Sequence, residues 1–172
     1  MRQTALCVLA LATFAIPANA QTKFTGKAHC AKGDPNYTVE VGDKPGHALA
    51  MRKSACTWSE GAIDSVAIKT GADAATTEVS GTTARDTGYH TATLENGDRF
   101  TVRFNGAMTM GKDGSGPFEG KWTFVSGTGK LKGIKGGGTY KGTGNADGSG
   151  DVTVEGDYTL APPPPPPPAK KK

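Results

Sequence analysis

Lys121–Gly144, KWTFVSGTGKLKGIKGGGTYKGTG, is the stretch of this 172-residue chain whose reading decides the fold. Trp122 and Phe124 stand two apart, so they share one face of a strand that stops at the Ser126-Gly127 turn. Leu131 and Ile134 stand three apart, the spacing of one helical turn, with Thr128 placed as an N-cap and Gly136 as a stop. A further strand starts at Thr139. The segment therefore reads as a strand, a tight corner carrying two apolar plugs, and a second strand, with glycines where a Cβ would block a close approach. It holds no reactive group, so it speaks to architecture and not to a reaction.

Within it, Ser126-Gly127-Thr128-Gly129-Lys130-Leu131-Lys132-Gly133-Ile134-Lys135-Gly136 resembles the G-G-T-G-x-hydrophobic-x-G-x-x-G signature of the allene oxide cyclase and dirigent superfamily. The match departs at Ser126, where those families usually have Gly. The resemblance implies a small antiparallel β-barrel and allows a cyclase- or dirigent-like activity. It carries no substrate-binding residue over to this chain.

Outward from that corner, apolar residues between Lys23 and Leu160 recur with period two. Tyr37, Val39 and Val41 alternate with Thr38 and Glu40, and Phe100, Val102 and Phe104 alternate with Thr101 and Arg103. Val152, Val154, Tyr158 and Leu160 keep one parity. Each run predicts a strand with one wet face. Turn chemistry separates them at Gly42–Gly46, Asn96-Gly97-Asp98, Lys112–Pro117 and Asn145–Gly150. Strand starts fall at Phe24, Tyr37, His47, Ser65, Thr76, Tyr89, Arg99, Trp122, Thr139 and Val152. Neighbouring hairpins without crossover helices predict an all-β, single antiparallel up-and-down β-barrel of about eight strands, whose closure removes exposed edges.

The domain expectation is a signal peptide over 1–20, the barrel over 21–161 and a disordered tail over 162–172. Arg2, the apolar run Leu6–Ile16 and Ala18-Asn19-Ala20 have the order of an export signal cleaved after Ala20. The run is too short to span a membrane, and no transmembrane segment is expected elsewhere. Cys30 and Cys56 then remain in an oxidising compartment, periplasmic or extracellular. They read as a disulfide closing about 27 residues, worth roughly 3 kcal/mol, with two free thiols or an intermolecular bond as alternatives.

Charge divides sharply along the chain. Of 20 basic residues, one is Arg2 and three are Lys170, Lys171 and Lys172, which leaves 16 against 16 acidic residues in the body. A neutral body gives no reason to expect a nucleic-acid partner. The tail, seven prolines from Pro162 and then Ala169-Lys170-Lys171-Lys172, reads as a polyproline II spacer of about 22 Å with a cationic tip. That tip suits an anionic envelope surface, although a tail without a partner has the same composition.

Searches for chemistry return little. His29, His47 and His90 lack zinc spacing and read as ordinary strand or turn residues; no cofactor and no catalytic residue is predicted. Asn145, Asp147, Ser149, Gly150 and Asp151 echo half a calcium loop, but the twelfth position is Gly156, so a hairpin turn is expected. Lys130, Lys132, Lys135 and Lys141 read as a solvated face. A site, if present, lies in the barrel interior, where Phe100, Val102, Phe104, Trp122 and Phe124, with Val152 and Val154, face inward to form either a small-ligand site or plain core. The expected function is a non-catalytic exported barrel that binds a small apolar ligand or acts as an envelope accessory protein. The alternative is a cyclase- or dirigent-like enzyme acting in the interior. An ionisable side chain inside the barrel separates the two readings.

Overall fold

The computed structural model describes residues 21–162; the export signal expected over 1–20 and the tail from Pro163 to Lys172 lie outside them. The period-two pattern becomes nine antiparallel strands, β1 (Thr22–Cys30), β2 (Asn36–Glu40), β3 (His47–Ile63), β4 (Val66–Ser80), β5 (Thr83–Leu94), β6 (Arg99–Thr109), β7 (Gly116–Gly127), β8 (Lys135–Gly144) and β9 (Gly150–Thr159). Every strand neighbours the next in sequence, except that β1 pairs with β9 on one side and with the second half of β3 on the other. That closes β1 and β3–β9 into an eight-stranded antiparallel barrel. The short β2 joins only the first half of β3, beyond the end of β1.

The ten expected strand starts become nine because β4 runs unbroken from Val66 to Ser80. A bulge between Ile68 and Thr70 switches its inward parity from even to odd, so one strand reads in sequence as two. Thr76 is therefore mid-strand. Ser65 lies in a two-residue turn with Asp64, both at positive φ, a hairpin geometry that matches the twist of the flanking strands. The strand that starts at His47 continues to Ile63.

The corner closes one end of the barrel. Thr128 caps no helix with its side chain; its Oγ1 instead accepts the Arg99 N–H at 2.8 Å, tying the corner to the start of β6. A 3-10 turn over Gly129–Leu131 follows. Gly136 is not a stop but the second residue of β8, and Gly133, at φ +80, makes the bend. Leu131 and Ile134 are both buried, and they plug the barrel against Phe24, Ile63, Ile68 and Leu94. Each such side chain contributes on the order of 2 kcal/mol by leaving water. The opposite end carries no comparable plug.

Cys30 and Cys56 sit directly opposite one another in the β1–β3 register, with Cα atoms 4.0 Å apart, and form the expected disulfide. β2 breaks the expected pattern. All five of its residues are exposed, and its apolar residues Tyr37 and Val39, each 67% exposed, face outward. Asn36 and Thr38 line the interior instead. At this height the barrel is open and wet, so polar side chains face in.

Candidate functional site

Above the apolar floor the barrel encloses a cavity of about 460 Å3, within the range of small-molecule sites. Strand register sets its layers, because residues paired across successive strands share a belt on the inner wall. One belt runs Ser54, Asp73, His90, Val102 and Phe124; a higher one runs Ala50, Thr77, Asp86, Gly106, Gly120 and Tyr140.

The lower belt places a histidine against a carboxylate in a nearly dry wall. His90 Nδ1 donates to Asp73 Oδ1 at 2.6 Å, and the two side chains are only 11% and 16% exposed. With Nδ1 donating to Asp73, Nε2 is the ring nitrogen left for another partner. That nitrogen and the neighbouring Trp58 Nε1 are buried without a hydrogen-bond partner. Both rings pack onto Gly71, where an added Cβ would come within 2.5 Å of His90 Cε1 and 2.8 Å of Trp58 Nε1. Gly71 is therefore what lets the two rings lie together.

The upper belt holds a second pair. Arg52 Nη2 donates to Asp86 Oδ2 at 2.8 Å, Thr77 Oγ1 donates to Asp86 Oδ1 at 2.5 Å, and Arg52 Nη1 reaches Ser54 Oγ at 3.3 Å. Across the wall Tyr140 lies over Gly106 and Gly120, whose missing side chains leave room for its ring and hydroxyl. Burial, first, and then the carboxylates of Asp86 and Asp73 push the Tyr140 hydroxyl well above its ordinary pKa, against the pull of Arg52. Tyr140 is thus a neutral hydroxyl through the physiological range.

The residues expected from sequence take their places in this wall. Phe100, Val102, Phe104, Trp122 and Phe124 all line the cavity, as do Val152 and Val154. Phe100 and Trp122 each meet Phe124 edge-on, at centroid distances of 5.4 and 5.2 Å, and Phe104 meets Tyr140 at 6.0 Å. Cys30, Cys56 and Asp73 come together at the wall, but the disulfide occupies both sulfurs, so no thiolate is offered to a metal. The Asn145–Ser149 segment is a hairpin turn whose Asp147 Oδ1 accepts from Ser149 N and Oγ, at 2.9 and 2.7 Å. Lys130, Lys132, Lys135 and Lys141 are exposed.

Sequence reasoning missed Arg52, Asp73, Asp86, His90 and Tyr140. Of the three histidines, His29 and His47 are ordinary strand residues at the end of β1 and the start of β3, His29 exposed and His47 partly buried, whereas His90 faces inward. A signal was available in β5, where Ala84, Asp86, His90, Ala92 and Leu94 share one parity. Tyr89 drew attention to the other face, which is the exterior.

The barrel is closed by an apolar plug at one end, and toward the other its lining carries two hydrogen-bonded polar pairs, Asp73 with His90 and Asp86 with Arg52. No protein-family model matches the sequence, and no curated protein matches it either. Among solved structures, the chain is similar to the pterocarpan synthase dirigent protein GePTS1, with 14% identity and a TM-score of 0.51 over 92% of this chain and 100% of that one. It is also similar to the pterocarpan synthase dirigent protein PsPTS1, with 16% identity and a TM-score of 0.47 over 84% and 97% of the two chains. The fold is thus a dirigent-like barrel, as the resemblance of Ser126–Gly136 implies.

Proposed function

We propose that this chain is an exported, dirigent-like barrel that takes a small, largely apolar molecule through its open end and performs acid–base chemistry on it. The observation that carries the reading is the two hydrogen-bonded polar pairs inside the cavity, Asp73–His90 and Arg52–Asp86, set above an aromatic, apolar floor. A merely filled core has no use for four ionisable groups facing inward, of which His90 is buried and Asp73, Asp86 and Arg52 are partly buried, because withdrawing such groups from water is expensive and adds little stability. Phe100, Val102, Phe104, Trp122 and Phe124 supply the apolar contact surface. His90, oriented by Asp73, supplies a proton acceptor at Nε2, and Arg52 with Asp86 orients a polar group of the ligand nearer the mouth. The likeness to a pterocarpan synthase dirigent protein supports the container and leaves the ligand open.

One observation favours a second reading, plain binding without turnover. His90 Nε2 is shielded from solvent by Trp58 and Gly71, so the base is not presented to the open cavity in this conformation. Export, cleavage after Ala20 and an anchoring role for Lys170, Lys171 and Lys172 on an anionic envelope surface complete the proposal; the disulfide supports the oxidising compartment.

The test starts from native mass spectrometry of the protein purified from its own host, to identify what the barrel carries, with uptake of 1-anilinonaphthalene-8-sulfonate as the binding readout. Ala50→Trp, which plugs the mouth, should abolish uptake while the fold survives. His90→Asn should leave binding intact and stop conversion of the copurifying molecule followed by NMR. Conversion unaffected by His90→Asn would reduce the function to binding, and uptake unaffected by Ala50→Trp would remove the interior as the site.

A further inference from the structure

Among the described strands, β2 alone has a single partner; the other eight are paired on both sides. Its hydrogen bonds to β3 are made by odd-numbered residues. Val41 N–H donates to His47 O at 2.9 Å, Lys53 N–H donates to Pro35 O at 3.1 Å, and the register between them pairs Tyr37 with Met51 and Val39 with Leu49. Antiparallel alternation therefore turns the N–H and C=O groups of Asn36, Thr38 and Glu40 to the free side. The outer face beside that edge is apolar, with Tyr37, Val39, Leu49 and Met51 between 53% and 67% exposed. No Lys or Pro interrupts Asn36–Glu40, although such residues are the usual protection of an open edge.

We infer that the free edge of β2 pairs antiparallel with the same edge of a second copy of this chain, centred on Thr38. The strand Asn36-Tyr37-Thr38-Val39-Glu40 is polar, apolar, polar, apolar, polar, a pattern palindromic about Thr38. A two-fold contact requires such a palindrome, because each residue must suit both its own position and its mate's. In this register Thr38 faces Thr38 and Asn36 faces Glu40, so all three donors and all three acceptors of each edge are matched. Tyr37 of one copy falls beside Val39 of the other in the closer, non-hydrogen-bonded pairing, where cross-strand side chains touch most. The apolar row then runs unbroken through Met51, Tyr37, Val39 and Leu49 across the junction. Glu40, the one charged residue of β2, meets a neutral Asn36, so no like charges oppose. A strand from an unrelated protein would have to reproduce both the hydrogen-bond spacing and this apolar pairing; a second copy has them by construction. Because Asn36 and Thr38 line the cavity, the contact also sets two mouths side by side in one continuous sheet.

Sedimentation velocity on the chain from Gln21 to Lys172, from about 1 to about 300 µM, is the test, since a dimer is concentration-dependent. The wild type should dimerise within that range, and amide exchange at Asn36, Thr38 and Glu40 should slow as it does. Thr38→Pro removes the central N–H, and Val39→Lys places like charges across the junction; each should weaken dimerisation at least about tenfold. Both positions are exposed, so circular dichroism and melting should match the wild type; if Thr38→Pro unfolds, Val39→Lys and the exchange data decide. A wild type that stays monomeric throughout overturns the inference, as does a dimer that Val39→Lys leaves undiminished or whose Thr38 amide exchanges at the monomer's rate.

Discussion

The two ends of this barrel are built on opposite principles. At the floor, Leu131, Ile134, Ile63 and Leu94 are buried at 0–4% exposure and carry no charge. Toward the mouth, Arg52, Asp73, Asp86 and His90 stand side by side on the inner wall of β3, β4 and β5, and aromatic rings lie over glycines that leave them space. The floor gains stability from apolar burial, whereas the mouth spends it on partly desolvated polar pairs. The difference teaches that one closed sheet can be a dry, apolar seat for a plug at one end and a polar lining at the other.

The largest effect should come from emptying the floor. Leu131→Ala removes a fully buried plug and should lower unfolding free energy by about 2–5 kcal/mol in urea denaturation; a loss under about 1 kcal/mol would show that the floor is not what holds the barrel closed. Replacing Cys30 and Cys56 together by Ser should cost about 3 kcal/mol, less if the unfolded chain is already compact, and a protein with two titratable thiols would contradict the bridge.

The mouth should answer differently. Asp73→Ala strands the His90 N–H in a buried wall and should cost about 1–3 kcal/mol. Asp73→Leu combined with His90→Phe, which removes both polar partners, should be near neutral or stabilising while conversion of a ligand is lost. A double variant as unstable as a floor mutant would erase the distinction between the ends.

A smaller, pH-dependent effect belongs to the rim. His47 Nδ1 meets Asp43 at 2.6 Å and Nε2 meets Glu78 at 3.1 Å; the Asp43 hydrogen bond first, and then Glu78, raise the His47 pKa above its ordinary value. A raised folded pKa contributes stability that is complete below the unfolded value of about 6.5 and is lost as pH rises through the folded value. The melting temperature should therefore fall slightly between about pH 6 and pH 9, and His47→Gln should flatten that slope. An equal slope in both proteins would assign it elsewhere. Smallest of all, ending the chain at Ala161 should leave the melting temperature unchanged, because Pro162–Lys172 offers only prolines, one alanine and lysines and none of the large aliphatic or aromatic side chains that build the core; unfolding of the truncated chain would move the domain boundary.

The floor was legible in sequence and the mouth was not, for a physical reason. Apolar residues announce a buried face through their period, which is how Phe100, Phe104, Trp122 and Phe124 and the plugs Leu131 and Ile134 could be placed. A buried charge has the same letter as an exposed one. Asp86 and His90 could be recognised only by sharing the parity of Ala92 and Leu94, and Asp73 only after the Ile68/Thr70 bulge shifted the count. Tyr37 and Val39 mislead in the opposite sense, since period two says which residues share a face but not which face is wet. The disulfide pairing was accessible by counting, because the expected cleavage after Ala20 leaves only two cysteines.

Thr22 pairs with Tyr158, so the two ends of the barrel leave side by side from the plugged end. Force applied between them would load β1 and β9 as a zipper, breaking one rung at a time from the floor upward instead of shearing all the rungs together. On the β1 side that peeling stops at Cys30, which the covalent bridge to Cys56 holds to β3 at the far end of the strand. Mechanically the barrel is soft at its hem and riveted near its mouth, so tension on either end frays the floor while the wall that carries Asp73 stays fastened.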